Sequence, residues 1–204
     1  MLNVATERYV KGQRRLRSSL EKYTDADLLF YQNEGQVGAP LHKENPYAFK
    51  IYAFKKAKEL GYNLILWLDA SIWAVSDLIP VWKKIETGYL MQENGWTVGH
   101  WCNEKTLKWW DLKKEDAFKM PMYGDAGLLG LNFNTKASKS FFKLWEESME
   151  AGCFKGNWED HRHDMTNGSI VANLLKMEYS KQNTFMTYGT EKKSGTEVFL
   201  AQGI

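Results

Sequence analysis

The chain has 204 residues, of which 44% are hydrophobic, 14% aromatic and 25% charged, so it can bury a core and is not a disordered or low-complexity chain. This length predicts a single domain over residues 1–204 and leaves little room for two independent cores. The 27 Lys and Arg residues nearly balance the 25 Asp and Glu residues, and the formal net charge of +2 demands neither a nucleic acid nor an anionic membrane as partner.

Cysteine usage and hydropathy place limits on the compartment. Cys102 and Cys153 lack the paired spacing of a zinc site or of a disulfide framework, so we expect two structural thiols in a reducing compartment. No apolar run approaches the roughly 18 residues of a membrane span. Residues 1–9 lack the apolar stretch of a secretory signal. We therefore expect a cytoplasmic protein without a membrane span.

Strand and helix patterns alternate in the first part of the chain. Residues 2–6 predict a strand, a basic helix follows, and residues 28–31 predict a second strand. After a long loop over residues 32–44, Asn-Pro opens a helix at residue 45 that a glycine ends at residue 61. Residues 63–68 are continuously apolar, as expected of a central strand buried on both faces. This alternation predicts an α/β fold with a mostly parallel sheet flanked by helices.

The later part of the chain carries weaker patterns of the same kind. They predict helices over residues 78–85, 135–149 and 169–177, and strands over residues 88–91, 96–99 and 126–131. The tail, residues 184–204, predicts two short β segments around Gly189 and Gly195.

The ends of the predicted strands are the expected place for a site, because ligands of open α/β sheets bind beyond the carboxyl ends of the strands. Residues 6–9 follow the first strand, Asp69 and Ser71 follow the central strand, and residues 132–134 follow a later one. Asp69 is the most informative, because a carboxylate directly after a buried strand is costly unless it is paired, hydrogen-bonded or bound to a metal. The alternative is that Asp69 only caps the following turn.

Several segments resemble a known family in order and spacing. They are Val-Ala-Thr-Glu-Arg-Tyr at residues 4–9, Leu-Trp-Leu-Asp-Ala-Ser at 66–71, Gly-Asp-Ala-Gly-Leu-Leu-Gly-Leu-Asn at 124–132, and His-Asp-Met-Thr-Asn at 163–167. Over about residues 2–178 the chain resembles the nucleotide-diphospho-sugar transferases, with glycogenin-like motif order. This resemblance implies the single-domain, Rossmann-like A-type glycosyltransferase fold. It also implies a hexosyl- or pentosyltransferase that moves a sugar from a nucleotide-diphosphate donor to a hydroxyl acceptor.

The resemblance also implies a donor site at the end of the central strand. Thr6 and Tyr9 would border the base and ribose, and Asp69 would face the ribose or a divalent cation, Mn²⁺ or Mg²⁺, that neutralises the diphosphate. Ser71 stands where the family has the second Asp of its metal signature.

Three arrangements remain open at this position. Asp69 binds the ion with Ser71 behind it, or Asp125 completes the ion site, or the positive side chains of Lys50 and Arg8 replace the ion. A lone lysine on a helix is more often simply solvated.

Asp164 and Asp125 are the candidates for the chemical step, because a carboxylate can deprotonate an acceptor hydroxyl or stabilise an oxocarbenium-like centre. Asp164 lies in the densest run of ionisable residues, 159–164. In that run His163, with His161, is a candidate metal ligand, because residues two apart on an extended segment point the same way. The alternatives are that Asp164 caps a helix, that both histidines lie on the surface, and that Asp125 belongs to an ordinary turn.

The acceptor and the competing functions are less constrained. A glycan, a lipid-linked sugar or a protein hydroxyl fits the resemblance, and Trp101 is the aromatic residue that we expect to contact a sugar. Basic residues on the first helix leave a modified-base DNA as a further acceptor. The alternative function is a non-catalytic nucleotide-sugar or glycan-binding module with the same fold. A metal-dependent hydrolase is disfavoured, because no glycine-rich phosphate loop follows the first strand.

Overall fold

The computed structural model describes residues 1–124 and 127–203. Its strands are β1 (Leu2–Val4), β2 (Leu29–Tyr31), β3 (Leu64–Leu68), β4 (Ile72–Ala74), β5 (Tyr89–Leu90), β6 (Glu93–Thr97), β7 (Pro121–Tyr123), β8 (Leu128–Asn132), β9 (Met186–Tyr188) and β10 (Phe199–Ala201). Its α-helices are α1 (Val10–Leu20), α2 (Ala48–Glu59), α3 (Ile79–Glu86), α4 (Glu104–Trp109), α5 (Lys114–Ala117), α6 (Lys136–Glu150) and α7 (His163–Leu174).

The central sheet has the order β2-β1-β3-β8-β5 among the described residues. Strands β2, β1 and β3 pair in parallel, β8 runs antiparallel to β3, and β5 runs antiparallel to β8. Four of these five strands therefore point in one direction, and the predicted α/β fold with a mostly parallel sheet is confirmed.

Strand β3 is buried on both faces, as its apolar run predicts. Successive side chains of a strand point to opposite faces. Ile65 and Trp67 accordingly pack into the core that includes residues of α2 and α6, whereas Leu66 and Leu68 pack into the core that includes residues of α1 and α3. Because both faces of β3 are packed, the end of this strand and Asp69, which follows it, have a fixed position in the fold.

Strand β8 corrects one expectation about the site. Because β8 is antiparallel to β3, its last residue, Asn132, pairs with Leu64 at the beginning of β3. Residues 132–134 therefore lie at the sheet edge opposite Asp69, not beside it. The beginning of β8 lies at the site instead, where Leu128 pairs with Leu68.

The boundaries of several other elements differ from the predictions. Helix α7 begins at His163, six residues before the predicted start at 169, and α4 and α5 were not predicted. The strand predicted over residues 96–99 is β6, at Glu93–Thr97. The tail has two strands, but β9 ends just before Gly189 and β10 begins four residues after Gly195, later than predicted. These strands pair in parallel, and β10 also pairs antiparallel with β4.

Cys102 and Cys153 are both buried and free. Burial raises the pKa of the Cys102 thiol to about 12 and that of the Cys153 thiol to about 11, so neither is a ready nucleophile at neutral pH. In the part of the chain that the structure describes, no helix has the length and apolarity that crossing a bilayer requires.

Candidate functional site

A cavity of about 450 Å³ opens at the carboxyl end of β3. Asp69 directly follows this strand and lines the cavity. The other described lining residues are Tyr47, Lys50, Trp67, Asn94, Trp96, Trp101, Tyr123, Gly124, Gly127, Leu129, Trp145, Trp158, Arg162, Asp164, Met165 and Tyr188. The cavity thus lies where the strand-end rule predicts a ligand site.

A buried lysine joins two carboxylates at the base of this cavity. Lys50 comes from α2, and its side chain is only 7% exposed. Its Nζ lies 2.9 Å from Oδ2 of Asp164 and 3.3 Å from Oδ1 of Asp69. The Nε1 of Trp67 donates a hydrogen bond of 2.7 Å to the same Oδ1. Asp164 is 8% exposed and Asp69 is 30% exposed, so Asp69 is the carboxylate more open to a ligand.

The electrostatics of this group follow from burial and pairing. Burial by itself lowers the pKa of Lys50, but the charges of Asp164 and Asp69 outweigh it and raise that pKa above its usual value. At Asp69 burial is the stronger influence and raises the pKa, against the opposing effects of Lys50 and Trp67. Lys50 therefore stays charged at neutral pH.

Gly127 brings the backbone up against Asp69. It has a φ of +82°, and a Cβ built on it would overlap the carboxyl group of Asp69. At Gly127 the backbone therefore comes close to a side chain of the site.

A stack of aromatic rings joins the beginnings of α2 and α7. The ring of His163 lies 5.3 Å from that of Tyr47 and 5.6 Å from that of Trp158, both in stacked geometry. Tyr47 has a φ of +59° and His163 a φ of +42°, which are unfavourable for residues with a Cβ. Such conformations persist only where the surroundings impose them, and they concentrate at functional sites.

Arg162 lies between two tryptophans at the same cavity. Its guanidinium carbon is 3.7 Å from the ring centroid of Trp101 and 4.2 Å from that of Trp158. Burial lowers the pKa of this arginine, but a guanidinium stays charged at neutral pH. Its Nη1 is buried, and no acceptor within residues 1–124 or 127–203 binds it.

The structure brings three of the predicted site residues together, namely Asp69, Lys50 and Asp164. Thr6, Arg8, Tyr9 and Ser71 do not line the cavity, and their roles stay predictions. Arg8 is exposed and donates from Nη2 to the Tyr9 hydroxyl at 2.9 Å. The carbonyl of Ser71 accepts a hydrogen bond of 2.7 Å from Arg15. Asp125 lies outside the described residues.

The two histidines are not on the surface, and they do not share an extended segment. Both are buried. His161 bonds through Nε2 to the carbonyl of Cys153, and His163 bonds through Nδ1 to the carbonyl of Phe154, each at 2.8 Å. His163 is the first residue of α7, and the two rings are inclined at 82°. The shared direction expected of residues two apart is therefore absent.

The described residues do not fit a divalent cation at Asp69. A cation site needs several oxygen or imidazole ligands that converge on one point. No three histidine, cysteine, aspartate or glutamate residues come together in this way within the described ranges. The ammonium of Lys50 already contacts both Asp69 and Asp164, so the place between these carboxylates is taken by a positive charge.

The sequence did not single out Arg162, Tyr47 or Trp158. Arg162 lies within the run of ionisable residues at 159–164. The only feature of the sequence that could have indicated its contact with an aromatic ring is Trp158, four residues before it. Trp101, the aromatic residue that the sequence analysis expects to contact a sugar, lines the cavity.

The basic face of α1 gives no support to a DNA acceptor. None of its arginines lines the cavity. Arg15 instead lies over the ring of Trp73 and Arg17 over that of Phe30. Charged residues on an exposed helix face are commonly just solvated.

No family model and no curated protein sequence matches the chain. Solved glycosyltransferases resemble its fold. The galactosyltransferase LgtC, in complex with donor and acceptor sugar analogues, is 13% identical with a TM-score of 0.51, over 98% of this chain and 86% of that chain. An active-site mutant of LgtC is 13% identical with a TM-score of 0.50, over the same shares. The apo form of the bifunctional glycosyltransferase WbbM is 10% identical with a TM-score of 0.59, over 98% of this chain and 45% of that one.

Identities this low establish the fold alone. The chain has the A-type glycosyltransferase fold that its motifs imply, and that prediction is confirmed. The glycogenin-like detail of the motif order stays a prediction.

Proposed function

We propose that the chain is a glycosyltransferase that moves a sugar from a nucleotide-diphosphate donor to a hydroxyl acceptor. One observation carries the proposal: on this fold, Asp69 follows the central strand and opens into a cavity that also holds Asp164 and Lys50. The cavity volume of about 450 Å³ is within the usual range for small-ligand sites.

The proposed reaction places the donor's anomeric carbon near Asp164. The bond from this carbon to the diphosphate oxygen breaks, and its electron pair leaves with the oxygen. The acceptor oxygen bonds to the same carbon and gives up its proton, for which Asp164 is the proposed acceptor. Asp164 also supplies negative charge beside the oxocarbenium-like centre, and Lys50 holds this carboxylate in position.

We assign Asp69 to binding the donor's hydroxyl groups. It is the more exposed carboxylate, and its Oδ1 is held by Trp67 and Lys50. Thr6, Arg8 and Tyr9 follow β1, which lies beside β3, and are proposed to border the nucleotide. Asp125 remains a second proposed catalytic residue.

A carbohydrate is the proposed acceptor, in preference to a lipid-linked sugar or a protein hydroxyl. Trp96 and Trp158 line the cavity and are each about half exposed. Aromatic faces that remain partly open to water suit the apolar faces of sugars. The non-catalytic binding module is less well supported, because the cavity keeps two carboxylates that can serve in a reaction.

Release of nucleotide from a panel of nucleotide sugars tests the proposal, with and without manganese. We expect one donor to be turned over. Asp69→Asn should weaken donor binding, and Asp164→Asn should lower turnover while leaving donor affinity near normal. Asp116→Asn is the matched control, because Asp116 is an exposed carboxylate that pairs with Lys119 outside the cavity. Binding without turnover across the whole panel would favour the binding module.

The finer parts of this function stay predictions. They are the hexosyl or pentosyl class of the transfer and the cytoplasmic location. The family resemblance also implies a divalent cation, either Mn²⁺ or Mg²⁺, with Asp69 and His163 as its ligands. This cation is left out of the proposed function, because the ammonium of Lys50 already contacts both Asp69 and Asp164.

A further inference from the structure

Arg162 contacts two tryptophan rings, and its buried Nη1 has no hydrogen-bond partner among the described residues. Its guanidinium lies over Trp101 at 3.7 Å and over Trp158 at 4.2 Å. Stacking uses the flat faces of a guanidinium, whereas its N–H groups point outward in the plane. The side chain is therefore held in place by contacts that leave its donors available to a ligand.

The donors of Arg162 lack a counter-charge in the described protein. Nη1 is buried and has no hydrogen-bond partner there, and no carboxylate of residues 1–124 or 127–203 forms an ion pair with this arginine. A buried donor without an acceptor is costly, and more so when it is charged. An anionic ligand in the adjacent cavity would satisfy it.

The charges around the cavity point to the same ligand. Lys50 and Arg162 are the cationic residues among the described lining residues. Lys50 is already shared by Asp69 and Asp164, so Arg162 is the cation that remains for an incoming anion. Arginine can bind two phosphate oxygens at once, which suits a diphosphate better than a single point charge does.

We infer that Arg162 binds the diphosphate of the donor and takes the place of a divalent cation. This inference rests on the proposed glycosyltransferase function. It agrees with the poor fit of the described residues to a metal ion, since the ammonium of Lys50 lies where an ion between Asp69 and Asp164 would be. In the reaction, Arg162 stabilises the negative charge that develops as the diphosphate leaves.

Calorimetric titration with uridine, guanosine, cytidine and thymidine diphosphates, in EDTA and in manganese, tests the inference. We expect one of them to bind the wild-type protein in EDTA with an affinity that manganese changes by less than about twofold. Arg162→Gln should lower the affinity for this diphosphate by about tenfold or more, and Arg162→Lys should lower it by less. Neither change should alter the affinity for the matching nucleoside, which has no phosphate.

The matched control is Arg17→Gln. Arg17 also lies over an aromatic ring, that of Phe30, but outside the cavity, and its replacement should leave all affinities unchanged. Binding that requires manganese, or an unchanged affinity of Arg162→Gln, would overturn the inference while the proposed function stands. Failure of every nucleoside diphosphate and nucleotide sugar to bind in both buffers would count against the function itself. If the arginine variants do not fold, the wild-type comparison in EDTA and manganese still decides whether a metal is needed.

Discussion

The ammonium of Lys50 contacts carboxylates that come from distant parts of the chain, at the end of β3 and the beginning of α7. Buried pairs of this kind add little net stability, but breaking one by removal of a single partner leaves an uncompensated buried charge. Lys50 thus holds together two carboxylates that would otherwise repel each other. The alternative that this lysine is simply solvated, as lysines on helices commonly are, is wrong.

Lys50→Met should destabilise the fold by about 3–5 kcal/mol near neutral pH, because two close carboxylates lose their shared counter-charge. The loss should shrink as the pH falls, since burial raises the pKa of Asp69 and protonation of this carboxylate removes the repulsion. Lys55→Met on the same helix is the control: Lys55 is half exposed and pairs with Glu146, and such pairs contribute about 1 kcal/mol or less. Chemical denaturation at several pH values measures the stability of both variants. Equal losses in Lys50→Met and Lys55→Met would contradict the role of Lys50 as the shared counter-charge.

Gly127 offers a second test at this scale, with Gly61 as its control. Both glycines have positive φ, +82° and +91°, but a Cβ on Gly61 would meet nothing within 4 Å, whereas one on Gly127 would overlap the carboxyl group of Asp69. Gly61→Ala should cost about 1 kcal/mol from backbone strain alone. Gly127→Ala should cost more and should also weaken donor binding, as denaturation and titration would show. Normal donor binding by Gly127→Ala would mean that Asp69 can move freely.

Helices α6 and α7 differ in how well a pattern reveals them. In α6 the buried residues Phe141, Phe142, Trp145 and Met149 recur at helical spacing, and the Thr135 side chain caps its first turn, so the prediction over residues 135–149 nearly matches Lys136–Glu150. Helix α7 is buried on nearly all sides, including polar residues, so it has no apolar stripe to mark its first turns. The sequence pattern therefore predicts the start of α7 too late, at residue 169 and not at His163.

Glu197 holds the tail segment between β9 and β10. Its Oε1 accepts hydrogen bonds from the backbone N–H groups of Lys193 and Ser194 and from the hydroxyl of Thr187. Burial raises the pKa of Glu197, but these donors outweigh it and lower the pKa to about 2. One carboxylate therefore fixes the loop that leads into β10.

Glu197→Ala should destabilise the protein by roughly 3 kcal/mol, because several hydrogen bonds to a charged group are lost. Glu197→Gln should cost less, since a carbonyl oxygen can replace Oε1. The contribution of the carboxylate should be lost as the pH falls from about 4.5 to about 2. Glu191→Gln, an exposed neighbour, serves as the control in thermal denaturation. If Glu197→Ala were no less stable than Glu191→Gln, the role assigned to Glu197 would be contradicted.

His161 couples the stability of the whole molecule to pH. Burial lowers its pKa from 6.5 to about 4 in the folded protein. Between these values the unfolded chain binds the proton and the folded protein does not, so stability rises with pH across this window. The change is roughly 3 kcal/mol, because each pKa unit corresponds to about 1.4 kcal/mol.

His161→Gln should flatten this dependence while keeping a side-chain donor for the carbonyl of Cys153. His100→Gln removes an exposed histidine and should leave the slope unchanged. Unfolding free energies measured between about pH 4 and pH 7 decide the matter. An unaltered slope in His161→Gln would mean that another group is responsible.

The local patterns of the chain determined its α/β class, the buried central strand and the position of Asp69 at the end of that strand. Each depends on residues that are neighbours in sequence: a continuous apolar run, a helix with its cap, and a polar residue after them. They could be predicted because burial of a strand or a helix face imposes its own spacing on the residues.

The tertiary structure alone decided which charges meet. Because β8 is antiparallel to β3, Gly127 lies next to Asp69, and residues 132–134 lie at the opposite end of β3. The tertiary structure also placed Lys50 between Asp69 and Asp164, and Arg162 between Trp101 and Trp158. Such contacts join residues far apart in the chain, and the energies of paired charges depend on distance and burial, which no local spacing records.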